Sequence, residues 1–293
     1  MRKNLVIVRA GDQSLHPTWL AATEDRNWDI LVSYFGDDPE RFRGDDIRRI
    51  DSKGPKWPAL NVLMQELADD IGRYEYVWLP DDDLACDTGG INRLFDFCHQ
   101  YDLELAQPAL SPDSYANHAI TVRNRSFLLR FTTFVEIMAP CFSASFLRRC
   151  AHTFGENKSG YGLEYLWPHW ASATTKVAII DNVIIRHTRR IGGPNQRLLV
   201  AEGTSAGDEL LAFLLKYEIR TLDKLIIGAI DHAGRRLSIS DDTHAQLVAD
   251  IIAGYLPEFG SRAEHLIELI KPSLALLPPA TWTPTAYTSE RKE

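Results

Sequence analysis

The chain is poor in sulfur: 293 residues hold four cysteines and three methionines. None of the cysteines (Cys86, Cys98, Cys141 and Cys150) belongs to a CxxC pair, so neither a thiol redox motif nor a thiolate zinc site is offered. Without a secretory leader, such cysteines are expected to be reduced and buried. Long apolar runs are missing as well. The opening "MRKNLVIVRAGD" gives only Leu5 to Val8 before Arg9 and Asp12, too short for the apolar region of a signal peptide. No segment approaches the roughly 20 apolar residues of a transmembrane helix, and the expected residence is cytoplasmic. Basic excess is absent: the net charge of −8 argues against a broad nucleic-acid surface, although a small pocket for an anion stays open. No repeat of 20–50 residues is visible. There is no GxxxxGK(S/T), no GxGxxG after the first apolar run and no GxSxG. These absences weigh against P-loop, dinucleotide-binding and α/β-hydrolase readings.

What is present is an ordinary globular composition, 45% hydrophobic and 25% charged, in a chain long enough for one large α/β domain or a core with an appendage. Apolar runs at 4–12, 28–38, 47–57, 74–80 and 103–110 read as strands. They alternate with helical patterns at 16–28, 58–74 and 89–103. Such alternation argues for a mostly parallel sheet flanked by helices. Residues 130–154 read as a strand, a turn at Pro140 and a helix. The stretch 159–171 reads as a glycine turn and a short aromatic helix, and 176–188 as one or two strands ending at His187. From about residue 200 the character changes: 207–222, 242–256 and 261–277 look helical, and the tail from 278 has too little apolar periodicity to order itself. The expected organisation is a domain over 1–200 and a helical extension with a flexible tail over 201–293.

The acids concentrate at strand ends, where open α/β sheets bind ligands. "YEYVWLPDDDLACD" (74–87) drives an apolar strand into Asp81, Asp82 and Asp83. Three like charges there resist burial, and a hard divalent cation bridging them to a diphosphate would relieve the repulsion. Asp81 and Asp83, two apart, share a side, while Asp82 faces the other way. A solvated turn is the competing reading. His187 likewise follows an apolar strand, either as a packed residue or as a further ligand of manganese type. Glu164, in "SGYGLEYLWPHW", is either a helix-start carboxylate or a general base whose aromatic walls raise its pKa and suit sugar faces. Lys53 and Lys56 flank Gly54-Pro55 before a helix, as a solvated basic loop or as a phosphate contact. Asp37 and Asp38, after the second strand, either meet ribose or base groups or cap the next segment.

In this order the motifs resemble the GT-A nucleotide-diphospho-sugar glycosyltransferases. Asp81–Asp82–Asp83 resembles their DxD motif, Gly54–Asn61 their glycine-rich loop, "GYGLEY" their acceptor-side acidic motif and His187 their late metal-binding histidine. Tyr165 stands where many of them carry a second acid. "WDILVSYFGDD", "VWLPDDDL" and "SGYGLEYLWPHW" are similar to an uncharacterised glycosyltransferase-like family of plants and bacteria, a domain of unknown function. The resemblance covers roughly residues 1–200. It implies a GT-A-like, Rossmann-like α/β fold and a transferase that moves a sugar from a nucleotide-diphosphate donor to a glycan or other hydroxyl acceptor with inversion. It also implies manganese or magnesium on Asp81, Asp83 and His187, nucleotide contacts from Asp37, Asp38, Lys53, Lys56 and Asp82, and Glu164 as base. A metal-dependent phosphoesterase and a non-catalytic glycan-binding or nucleotide-sugar-binding protein are the competing expectations.

Overall fold

The computed structural model describes residues 1–22, 25–190 and 199–259, together with 267 and 271. One mixed sheet organises them, in the order β11-β10-β7-β9-β6-β8-β4-β1-β2-β3. The first four strands to form the sheet are β1 (Asn4–Ala10), β2 (Trp28–Tyr34), β3 (Arg48–Asp51) and β4 (Tyr76–Trp78), all parallel to their neighbours among the four.

Side-chain alternation explains why β1, β2 and β4 are mostly apolar, whereas the edge strand β3 carries Arg48, Arg49 and Asp51. In β1, Val6, Val8 and Ala10 enter one core, while Leu5 and Ile7 enter the other. In β4 and its extension, Tyr76 and Trp78 face the first core, and Val77 and Leu79 the second. A period of two with both faces covered demands continuous apolar sequence. Each fully buried branched or aromatic side chain contributes about 1.5–3 kcal/mol. Helix α4 (Thr88–Gln100) covers the first face through Ile91, Leu94, Phe95 and Cys98. Helices α2 (Lys56–Glu66), α5 (Ala144–Cys150) and α6 (Leu163–Trp170) cover the second. Two single-turn helices, α1 (His16–Trp19) and α3 (Ala68–Ile71), complete the first half.

The far half of the sheet departs from the parallel expectation. Here β6 (Leu105–Leu110) runs parallel to β9 (Val177–His187), but β8 (Cys141–Ser143) is antiparallel to both β4 and β6. β7 (Phe127–Thr132) is antiparallel to β9. The two-residue β5 (Leu84–Ala85) pairs antiparallel with the end of β9, Leu84 opposite His187. β9 is one long strand. Its register against β6 shifts between Pro108 and Ala109, where proline has no N–H to give the ladder.

The C-terminal stretch, expected to be helical, holds helices α7 (Ala206–Lys216) and α8 (His244–Phe259). It also returns to the sheet as β10 (Ile226–Asp231) and β11 (Arg236–Ser238), with β10 antiparallel to β7. "KLIIGAIDHAGRRLSIS" is a strand–turn–strand pattern that helical periodicity on either side obscured. The expected boundary at 200 adjoins residues 191–198, and the expected helix 261–277 and tail fall almost wholly outside the described residues.

β7, β9 and α8 are locked together by a buried ion pair. Arg130 Nε lies 2.8 Å from Asp181 Oδ2 and Nη2 lies 2.9 Å from Asp181 Oδ1. Arg130 Nη1 also donates to Tyr255 on α8 at 2.7 Å, and Asn124 N donates to Asp181 at 2.8 Å. All four described cysteines are free, three of them buried and Cys86 half-buried.

Candidate functional site

β4 delivers Asp81, Asp82 and Asp83 to the carboxyl end of the sheet, and three neighbouring segments fix their backbone. Asp81 N donates to Met138 O at 2.8 Å, Leu15 N donates to Asp82 O at 2.7 Å, and Thr188 donates to Asp83 O through both N and Oγ1. The repulsion that the sequence poses is resolved within the chain, because each aspartate has its own cation. Asp81 Oδ1 is 2.6 Å from Lys56 Nζ. Asp82 Oδ1 is 3.2 Å from Arg189 Nη1, while Asp82 Oδ2 accepts from Gly11 N at 2.8 Å. Asp83 Oδ2 is 3.3 Å from His187 Nε2. Asp82 thus does face away from the other two, toward the end of β1.

These contacts set the protonation states. Burial pushes Asp82 up to about 6, against the pull of the Gly11 amide and Arg189. Burial also raises Asp81, and Lys56 opposes it; the 39% of the Asp81 side chain open to solvent moderates that rise. His187 is lowered by burial, but Asp83 and the Tyr115 carbonyl, which accepts from Nδ1 at 2.6 Å, outweigh this and raise it to about 9. The Nδ1 bond orients the ring so that Nε2 faces the acid, the arrangement that prepares histidine as a metal ligand.

Lys56 starts α2, and Arg9 holds its loop. Arg9 Nη2 donates to Gly54 O at 2.7 Å and Nη1 to Ser52 O at 2.9 Å. Lys56 Nζ also reaches the carbonyls of Leu79 and Ile137, both at 2.9 Å. Its ammonium is therefore a clamp between the acid turn and the loop after β7. Lys53 is placed elsewhere: Nζ donates to Phe35 O and Gly36 O at 2.8 and 2.6 Å and pairs with Asp37 at 2.7 Å. Asp37 and Asp38 lie on the exposed rim after β2. Asp38 Oδ1 accepts from Glu40 N at 3.0 Å, a local turn contact.

Glu164 is buried in the first turn of α6. The turn is built by Gly160 and Gly162, both at positive φ, where a side chain would strike Trp57 and Phe213 respectively. Gly162 N donates to Glu164 Oε2 at 2.9 Å. Burial raises Glu164 to about 7. Glu136, in the loop between β7 and β8, is likewise buried and raised by burial to about 7. Lys224 interacts electrostatically with both carboxyls and lies over the rings of Phe134 (5.2 Å) and Tyr165 (5.7 Å).

The structure therefore brings Lys56 to Asp81 and His187 to Asp83, buries Glu164 at the start of α6 where Glu136 and Lys224 act on it, and sets Asp37, Asp38 and Lys53 on the rim. Sequence reasoning missed Arg9, Gly11, Arg189, Lys224 and Glu136. Only Glu136 left a signal, as the single charge in "FTTFVEIMAPCF". A cavity of about 300 Å³ lined by Leu5, Asp29, Arg48 and Tyr74 lies at the amino ends of the strands, away from these acids. Several of its charges are paired, Asp29 with Arg2 and Arg48 with Asp70.

A divalent cation fits this donor set in kind. Asp83 Oδ1 is buried with no hydrogen-bond partner, so it is free to accept a cation or a water. Carboxylate oxygen with imidazole suits manganese or magnesium. Asp83 and His187 adjoin as they stand, whereas Asp81 is committed to Lys56. Among the described residues no three His, Cys, Asp or Glu side chains converge as a ready-made metal cage.

The fold is a mixed α/β sheet with acids at the carboxyl ends of its strands. The family described as "Protein of unknown function (DUF707)" matches residues 57–131, from α2 through β7 and across the acid turn. The chain is also similar to solved structures. One is a protein from Desulfovibrio desulfuricans G20 assigned in provisional terms as a nucleotide-diphospho-sugar transferase. It has a TM-score of 0.41 at 10% identity, over 74% of this chain and 95% of that one. Another is S. aureus TarS 1-349 in complex with UDP-GlcNAc, with a TM-score of 0.46 at 9% identity over 94% of this chain and 88% of that one. Likeness this weak carries no functional information. No curated protein matches the sequence. Among the described residues no helix is long and apolar enough to cross a membrane.

Proposed function

We propose that the chain is a metal-dependent, inverting glycosyltransferase that moves a sugar from a nucleotide-diphosphate donor to a hydroxyl acceptor. The observation that carries this reading is the pairing of two chemistries at one end of the sheet. One is an acid turn with an orphaned buried carboxylate oxygen on Asp83; the other is a buried carboxyl, Glu164, poised near 7. Manganese or magnesium held by Asp83, with Asp81, and by His187 once its Nε2 proton is released to solvent, would supply the charge that neutralises a departing diphosphate.

The chain's own residues do the rest. Lys56 and Arg189 fix the acid turn, so its carboxylates need no reorganisation during reaction. Asp82 holds the end of β1 through Gly11, which keeps that loop in register for the nucleotide. Asp37, Asp38 and Lys53, on the rim beside the half-exposed Phe35, are the side for ribose and base. Glu164 takes the proton of the acceptor hydroxyl as that oxygen bonds to the anomeric carbon. The bond from that carbon to the diphosphate breaks on the opposite face, which inverts the configuration through an oxocarbenium-like state. The aromatic surroundings of Glu164 exclude water and suit a sugar face.

A second reading has a specific observation behind it. The three aspartates already have protein cations, an arrangement that a non-catalytic nucleotide-sugar-binding protein would also tolerate. Incubation with manganese and a panel of nucleotide sugars, with simple sugar acceptors and with p-nitrophenyl phosphate as a separate substrate, distinguishes the readings. Release of nucleoside diphosphate with a glycosylated product is expected. Release of phosphate from p-nitrophenyl phosphate alone would replace the reading with a phosphoesterase, and binding without turnover would replace it with a binding protein.

A further inference from the structure

The transferase reading assigns no role to Glu136, yet the loop that carries it touches both halves of the site: Ile137 and Met138 accept from Lys56, and Phe134 packs on Tyr165, the neighbour of Glu164. Its backbone is fixed: N donates to Gln107 Oε1 at 2.6 Å, and Ala139 N closes a turn on Glu136 O. The next two residues, Ile137 and Met138, supply carbonyls to Lys56, and Met138 O also accepts from Asp81 N. The loop that carries Glu136 is thus the loop that closes on the acid turn. The side chain is only 7% exposed. Its Oε2 is buried with no hydrogen-bond partner, an arrangement that native proteins retain chiefly where function supplies the partner.

The electrostatic neighbours of Glu136 come from both halves. His187, Asp81 and Lys56 act on it from the acid turn, and Lys224 from the other side. Glu164 in turn is influenced by Glu136 and Lys224. The ring of Phe134, two residues away, packs on Tyr165 at 5.5 Å and gives the same space an aromatic wall. In a glycosyl transfer the anomeric carbon is joined first to the diphosphate and then to the acceptor oxygen. The transferred ring must therefore lie between the diphosphate site and the base, and the loop from Phe134 to Met138, which carries Glu136, contacts Lys56 on one side and Tyr165 on the other.

Resting on the transferase reading, we infer that Glu136 Oε2 accepts a hydrogen bond from a ring hydroxyl of the transferred sugar and is thereby a specificity-determining residue for the donor. A carboxylate suits the role because sugar hydroxyls are good donors and a buried acceptor left unpaired rejects a ligand that lacks the hydroxyl.

The test compares affinities for a nucleoside diphosphate and for its sugar derivative, by calorimetry with manganese, in wild type, Glu136→Gln and Glu136→Ala. The probes are UDP with UDP-glucose and UDP-GlcNAc, and GDP with GDP-mannose; the pair with the larger wild-type signal is followed. Glu136→Ala is expected to weaken the nucleotide sugar about tenfold or more and to leave the diphosphate within about twofold. Glu136→Gln, which keeps an acceptor oxygen, is expected to fall between. Retained diphosphate binding reports that each variant is folded, and Glu136→Gln decides if the alanine variant is not. Equal losses for both probes, or no loss for either, overturn the assignment and leave the transferase reading standing. A wild type that binds no diphosphate and no nucleotide sugar overturns both.

Discussion

Lys56 Nζ stands 2.6 Å from Asp81 Oδ1 and also holds the carbonyls of Leu79 and Ile137. One ammonium therefore ties the start of α2 to the end of β4 and to the loop carrying Glu136. Lys56 is 11% and Asp81 39% exposed, so the contact is only partly desolvated and is worth more than a fully exposed pair but less than a buried one. Lys56→Met is expected to leave Asp81 uncompensated and to lower both thermal stability and nucleotide-diphosphate affinity. Lys53→Met, which removes only an exposed contact with Asp37 and two carbonyls on the rim, is expected to change stability by less than about 0.5 kcal/mol. Differential scanning fluorimetry of the two variants checks the contrast; equal shifts would contradict it.

Glu164→Gln is expected to reduce turnover by about 10²-fold or more while leaving donor affinity unchanged, the signature of a lost general base. Because burial raises Glu164 to about 7, and a base works only when deprotonated, wild-type kcat/KM should climb with pH through about 7 and level off above it. Full turnover in Glu164→Gln with the true acceptor would remove the base assignment.

Glu136 also makes a prediction about stability. Its folded value is raised from 4.5 to about 7 by burial, so the folded chain keeps a proton that the unfolded chain has released. That contribution is fully present below about pH 4.5 and is lost as pH rises through about 7. Glu136→Gln cannot lose it. The Tm of Glu136→Gln relative to wild type should therefore move upward between about pH 5 and about pH 8, and a pH-independent difference would contradict the buried carboxyl.

Asp181→Ala leaves Arg130 as an unpaired charge with neither side chain exposed to solvent. A cost of about 3–5 kcal/mol is expected, read as a lower urea midpoint with an unchanged slope. The pair joins β7 to β9, and Tyr255 brings in α8, so the C-terminal helix should loosen with it. A loss under about 1 kcal/mol would mean that the pair is not structurally important.

Gly162→Ala adds a Cβ at φ 105°, against the ring of Phe213. The strain alone costs about 1–3 kcal/mol. The variant should also displace the Gly162 amide from Glu164, and so lose activity out of proportion to stability. Preserved kcat with a lowered Tm would confine Gly162 to folding.

The parallel half of the fold was legible because β1, β2 and β4 are buried on both faces, and the sequence records this as unbroken apolar runs ending in acids. The antiparallel half was less so. β8 is three residues long and β5 two, too short for a period to show, and β10 and β11 sit between helical patterns. Asp81, Asp83, His187 and Glu164 were visible as polar residues placed after apolar strands or glycine turns. Their partners were not, because Lys56 reaches across to the acid turn from α2, and Arg189 and Lys224 arrive from distant sequence. Strand alternation predicted the split between Asp82 and its neighbours, but Asp82 and Asp83 lie in a turn beyond β4, and the contact of Asp82 with Gly11 depends on how β1 and β4 pair in space.

Asp83, beside His187, is proposed as the cation site for a nucleotide diphosphate. Calorimetric titration of UDP and GDP, with and without manganese, into wild type and Asp83→Asn tests it most directly. The account predicts that manganese strengthens wild-type binding by about tenfold or more and that Asp83→Asn loses this increment while remaining folded. No manganese-dependent gain in wild type, or an undiminished gain in Asp83→Asn, would contradict it.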